Sequence, residues 1–119
     1  MCIPLYTRRG IPAEVLKRVV RKPAVEESYF SRGGDYRTFD LRPELGRVRC
    51  PTLVLAGRDD PITPVRGAEE VVEHLPPEVM RFECLDDAGH GVFWDRPDDV
   101  VSIIKRFLSD LPSSGAAAP

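Results

Sequence analysis

The segment Pro51-Thr-Leu-Val-Leu-Ala-Gly57 constrains this chain more than any other. It is a short, unbroken apolar run opened by proline and closed by glycine, with no polar residue at every second place. That pattern predicts a strand buried on both faces rather than one with a wet side. After it, Thr63 and Pro64 open a helix through about Leu75, with Ala68, Val71, Val72 and Leu75 as its apolar stripe. Pro76-Pro77 ends that helix, and Val79 to Leu85 reads as a second strand in which Met80, Phe82 and Cys84 alternate with Arg81 and Glu83. A loop from Asp86 to Asp95 leads to a last helix, from Pro97 to about Leu111, with a broad face of Val100, Val101, Ile103, Ile104, Phe107, Leu108 and Leu111. Asp98 and Asp99 sit in its first turn, where the helix dipole favours negative charge.

Strand, helix, strand, helix in that order implies an α/β class with two parallel strands joined by a right-handed crossover and helices covering the sheet. Two strands do not complete such a sheet, because Leu53 to Ala56 call for pairing at both edges and cover on both faces. The sequence requires strands that its 119 residues do not contain.

Upstream the character is different. Residues 1–47 are polar and partly helical, with Ile11, Val15, Leu16, Val19 and Val20 at helix spacing behind Pro12. Pro23 is expected to end that helix, and Ala24 to Phe30 form a second before Gly33-Gly34. Neither is long enough to stand without something to pack on. The last residues, 112–119, carry too little apolar bulk to pack and are expected to be a disordered tail. The chain divides into 1–47, 48–111 and 112–119.

Composition excludes several function classes. With 42% hydrophobic and 30% charged residues and a net charge of -2, this is ordinary globular material. The basic residues Arg8, Arg9, Lys17, Arg18, Arg21 and Lys22 are interrupted by Glu14, Glu26 and Glu27, the pattern of a solvated helix face rather than of a nucleic-acid patch. No apolar run approaches membrane-spanning length, and no charged leader with a cleavage site opens the chain. Cys2, Cys50 and Cys84 are odd in number and irregular in spacing, which fits reduced thiols in the cytoplasm and no zinc site. Cys50 and Cys84 read as small apolar fillers beside or within strands. No cofactor or metal is implied.

In open parallel sheets, reactive groups collect in the loops beyond the carboxyl ends of the strands. The first such loop places Asp60 three residues past Gly57, and the second places His90 five residues past Leu85, between Gly89 and Gly91. Strands roughly 5 Å apart bring loops from one rim within reach of each other, so Asp60 and His90 can meet. An acid that fixes the tautomer of a histidine makes that histidine a directed general base. Taken singly, an aspartate in a turn is an ordinary backbone acceptor and a loop histidine ordinary polar surface; order and spacing together carry the reading. His74, near the end of a helix, is expected only to cap carbonyls or face water.

With these residues in view, the chain resembles the C-terminal part of the α/β-hydrolase superfamily, in the style of proline iminopeptidases and related cap-bearing hydrolases. Pro51 to Gly57, Gly57-x-x-Asp60-x-x-x-Pro64, and Gly89-His90 running through Phe93-Trp94 to Arg96-Pro97 carry the likeness, over about residues 42–111. The resemblance implies that residues 48–111 form the C-terminal part of a hydrolase core and residues 1–47 the end of a helical cap. It also implies that Asp60 is the acid and His90 the base of a catalytic triad. Asp59 is the rival acid, but the offset of Asp60 from Gly57 and Pro64 fits the family pattern. Phe93 and Trp94 either line a pocket or pack under the last helix.

The departure from that family is the nucleophile. It sits on a Gly-x-Ser-x-Gly elbow upstream of the acid, and none of Ser28, Ser31, Ser102, Ser109, Ser113 and Ser114 has that setting. Oxyanion donors and the early strands are missing with it. Three expectations follow. In the first, the chain is a C-terminal fragment of a serine-type hydrolase of esters or amides, an aminopeptidase among the options, inactive alone, with Met1 an internal methionine. In the second, it is a subunit that completes an active site by docking on a partner supplying the missing N-terminal half. In the third, it is a non-enzymatic binding module. The substrate of a completed enzyme would be a small ester or peptide-like molecule, with no nucleic acid or membrane partner.

Overall fold

The computed structural model describes residues 6–112. Cys2 and, apart from Pro112, the expected tail lie outside the described residues. In chain order the elements are α1 (Ala13–Leu16), α2 (Pro23–Phe30), α3 (Asp35–Thr38), α4 (Arg42–Leu45), β1 (Thr52–Gly57), α5 (Val65–His74), β2 (Met80–Leu85), α6 (Val92–Asp95) and α7 (Pro97–Ser109). Strands β1 and β2 pair in parallel, with Thr52 opposite Met80 and Gly57 opposite Leu85, and α5 connects them. Two parallel strands with flanking helices are what the resemblance to the C-terminal part of an α/β-hydrolase core implies.

The level register decides where chemistry can occur. Because Gly57 faces Leu85, both loops leave the sheet from one rim. The ladder continues past the strand ends, where Arg58 donates its N–H to the Leu85 carbonyl at 2.9 Å and Asp59 donates to Ala88 at 2.9 Å. A tight turn after β2 makes this possible, with Asp87 at φ 55°, a left-handed conformation that aspartate tolerates better than most residues.

The core lies under that rim. Leu85, Ala88, Val92 and Val100 are buried together, with Leu55, Ile103 and Ile104 packed against them. Pro97 starts α7 at its first turn and turns Val100 inward; its complete burial stabilises the fold by about 2 kcal/mol. The loop that bears His90 is thus anchored from below by apolar packing.

Several expectations are corrected. The first helix stops at Leu16 instead of running toward Pro23, and its end tightens into Arg18 N–H to Val15 O and Val19 N–H to Leu16 O bonds. Val19 and Val20 are 51% and 81% exposed, so these β-branched residues have no packing to offset their low helix propensity. The expected two-sided burial of β1 is reached only at Ala56 and Gly57; Thr52 to Leu55 are half-buried, because β2 is the one strand that β1 meets among the described residues. Cys50 is exposed rather than packed, while Cys84 is half-buried in β2. The Asp86 to Asp95 loop contains the unforeseen one-turn helix α6. Phe93 and Trp94 are 59% and 40% exposed and so do not pack under α7. No helix among the described residues is long and apolar enough to cross a membrane.

Candidate functional site

Asp60 begins the turn after β1, and its side chain folds back onto that turn. Its Oδ1 accepts the N–H groups of Ile62 at 2.7 Å and Thr63 at 3.0 Å, and its Oδ2 accepts the Thr63 hydroxyl at 2.7 Å. An aspartate that caps its own turn in this way loses most of its rotamer freedom before any partner arrives. The remaining valence of Oδ2 meets His90, whose Nδ1 lies 2.9 Å away. The two residues that sequence reasoning singled out are therefore brought together.

Burial pushes the Asp60 carboxyl up, since its side chain is only 6% exposed. The Thr63 hydroxyl and N–H, the His90 ring and the Ile62 N–H outweigh this and hold it below its ordinary value. Such a group stabilises the fold above the usual carboxylate range, and that contribution disappears as pH falls through the depressed value. In urea denaturation the parent chain is expected to be more stable than Asp60→Asn above the usual carboxylate range, with the gap closing as pH falls below it. A gap that does not vary with pH would contradict this account.

An ionised carboxylate at Nδ1 places the ring proton there and leaves the Nε2 lone pair available. The Thr63 hydroxyl, 3.1 Å from Nδ1, reinforces the same face while donating to Asp60. Nε2 has no hydrogen-bond partner among the described residues, and the His90 side chain is 35% exposed. Asp60, Thr63 and His90 border an open cleft of about 350 Å³ whose other walls include Leu55, Gly57 and Val71. Chemically, this arrangement can serve as a general base with an orienting acid, facing space that a reacting group can enter.

Asp59, the rival acid, points elsewhere. Its carboxylate pairs with Arg8 at 2.5 Å, and both side chains are about half exposed. His74 donates its Nδ1–H to the Glu70 carbonyl of its own helix, 2.7 Å away, as expected of a helix-end histidine. Three contributors were missed. Thr63 was read only as a helix opener, although an acid three residues before a threonine is a signal for a self-capping turn. Tyr6 packs its ring edge-on against His90, with centroids 4.9 Å apart. Asp95 is fully buried, and its Oδ2 accepts the Gly89 N–H at 2.8 Å. Nothing in the sequence marks Asp95 as buried.

Known proteins share this arrangement of segments. The family described as serine aminopeptidase, S33, matches residues 37–97, just over half of the chain. The chain is 39% identical over 66 residues to a pimeloyl-[acyl-carrier protein] methyl ester esterase of Nitrosomonas europaea, covering 56% of this chain and 25% of that protein. It is 22% identical over 111 residues to the mouse monoacylglycerol lipase ABHD6, covering 89% of this chain and 32% of the lipase. In fold it is similar to the 2-hydroxy-6-oxo-6-phenylhexa-2,4-dienoate hydrolase of a Rhodococcus strain, with a TM-score of 0.67 and 22% identity over 90% of this chain and 42% of that one. The chain spans about a quarter to a third of the length of these curated relatives.

Proposed function

Because this chain belongs to the serine aminopeptidase S33 family of the α/β-hydrolase superfamily, we propose that it supplies the acid and base of a serine hydrolase acting on ester or amide bonds. The 2.9 Å contact between Asp60 and His90 at a shared sheet rim carries this reading. Asp60 orients the ring, and His90 takes the proton from an attacking serine hydroxyl and returns it to the leaving group. That serine comes from sequence outside these 119 residues, since none of the six serines lies in an elbow motif. The chain is thus the C-terminal portion of a longer hydrolase, with residues 1–47 ending its cap. The short share of each relative that it covers supports this. Its substrate is a small ester or peptide-like molecule, in keeping with a proline iminopeptidase-like subtype, and it works in the cytoplasm.

A fluorophosphonate probe, which reacts with activated serines, tests the proposal. The 119-residue chain alone is expected to stay unlabelled and to leave p-nitrophenyl acetate and proline p-nitroanilide intact. The form recovered from its native source with an antibody against this chain is expected to be labelled on a serine outside residues 1–119. If that serine lies on a separate polypeptide, the chain is a subunit rather than a portion. Labelling of Ser28, Ser31, Ser102 or Ser109, or a native form that never reacts, would end the proposal.

A further inference from the structure

The base is held from both sides by groups that the proton transfer itself does not use. Asp95 is completely buried, and no cationic side chain bonds its carboxylate among the described residues. A buried carboxylate left bare would be very costly, and here three backbone N–H groups meet it. Gly89 donates to Oδ2 at 2.8 Å, while Arg8 at 2.7 Å and Arg9 at 3.1 Å donate to Oδ1. One oxygen therefore grips the residue immediately before His90, and the other grips a segment more than eighty residues away in sequence.

The residue immediately after His90 is tied to that same segment. Gly91 donates its N–H to the Tyr6 carbonyl at 2.5 Å, and the Tyr6 ring abuts the imidazole at an interplanar angle of 81°. The approach is so close that a Cβ on Gly91 would lie 2.6 Å from the Thr7 methyl carbon and 3.1 Å from the Tyr6 carbonyl oxygen. Thr7 itself is buried beneath the crossing.

We propose that Asp95 is a positioning residue, and that through it the strap Tyr6 to Arg9 sets His90 against Asp60. The proposal rests on the reading of His90 as the base and adds what fixes it there. A carboxylate is required because both of its oxygens accept: in Asp95→Asn one oxygen becomes an NH2 group, which confronts either the Gly89 N–H or the two strap N–H groups. The donor clash loosens the His90 backbone at one hinge while leaving the apolar core below it intact.

A merely structural Asp95 would lower stability without altering the coupling between His90 and Asp60, so that coupling is what to measure. The coupling is read by NMR of the full chain from the solvent-exchange rate of the His90 Nδ1 proton, its signals being told from those of His74 with His90→Gln. The groups facing the ring are Asp60, the Thr63 hydroxyl and Tyr6, with the Arg8 and Asp59 pair nearby. Asp60→Asn is expected to speed that exchange roughly tenfold in the parent chain, since the ring N–H loses its charged acceptor. In an Asp95→Asn background the same change is expected to speed it less than about twofold. An equal acceleration in both backgrounds overturns the positioning role of Asp95 and leaves the dyad standing. No acceleration in the parent chain overturns the dyad itself, and the proposal with it. Should Asp95→Asn fail to fold, deletion of residues 1–9 removes the two strap donors and keeps Asp95. The coupling is then expected to fall to less than about threefold, and full retention would be the refuting result.

Discussion

Gly57→Ala is expected to separate His90 from Asp60 and to destabilise the chain by about 3 kcal/mol or more. Gly57 ends β1 where the His90 loop crosses it, and an added Cβ would sit 2.2 Å from the Gly89 carbonyl oxygen and 2.4 Å from that of Ala88. These are backbone atoms, so no rotamer change relieves the clash. The Ala88 carbonyl is also the acceptor for the Asp59 N–H. Relief therefore requires the second loop to lift from the first, which breaks that bond and draws the imidazole away from its acid. Gly67→Ala is the matched control. Gly67 lies inside α5 with nothing within 4 Å of its would-be Cβ, so alanine there is expected to stabilise the chain by about 1 kcal/mol. Urea denaturation of both variants, with the His90 resonances as a local probe, checks the contrast. Equal stabilities, or an unmoved His90 in Gly57→Ala, would refute the crossing as the device that joins the two loops.

This crossing also explains how much of the site was legible in the sequence. The apolar run ending at Gly57 and the alternating run ending at Leu85 are local patterns, and each fixes its own strand. Once both are strands of one parallel sheet, the loops that follow must share a rim, so the sequence alone pairs Asp60 with His90. Helices α5 and α7 were equally readable, because proline opens each and their apolar residues recur at helical spacing.

What could not be read depends on contacts between distant residues. The burial of Asp95 comes from Arg8 and Arg9, which reach it across nearly the whole chain, and no local pattern reports such a meeting. Helix α1 stops early for the converse reason. Its periodicity extends to Val20, but periodicity yields structure only where a surface is present to bury it, and Val20 faces solvent. Likewise, full burial of Leu53 to Leu55 was inferred from composition alone, and composition states what a strand needs rather than what its neighbours provide.

If the proposed hydrolase is recovered whole from its native source, His90→Ala and Asp60→Asn are each expected to reduce its kcat by about 10³- to 10⁴-fold, with KM changed much less. The two losses have different origins. Removing His90 leaves the serine with no base. Asp60→Asn keeps shape and volume, but its side-chain NH2 can donate toward Nδ1, which favours the ring tautomer whose proton sits on Nε2 and so disables the lone pair facing the cleft. Because the pair acts as a unit, the double variant is expected to be no slower than the worse single one. Asp59→Asn supplies the control that separates the rival acids. Its carboxylate is half exposed and paired with Arg8, so its loss is expected to cost less than about threefold in kcat. Initial rates on a p-nitrophenyl ester decide the matter: an Asp59 effect that exceeds the Asp60 effect, or a His90→Ala enzyme that keeps more than about a tenth of parental kcat, would remove the dyad from the reaction.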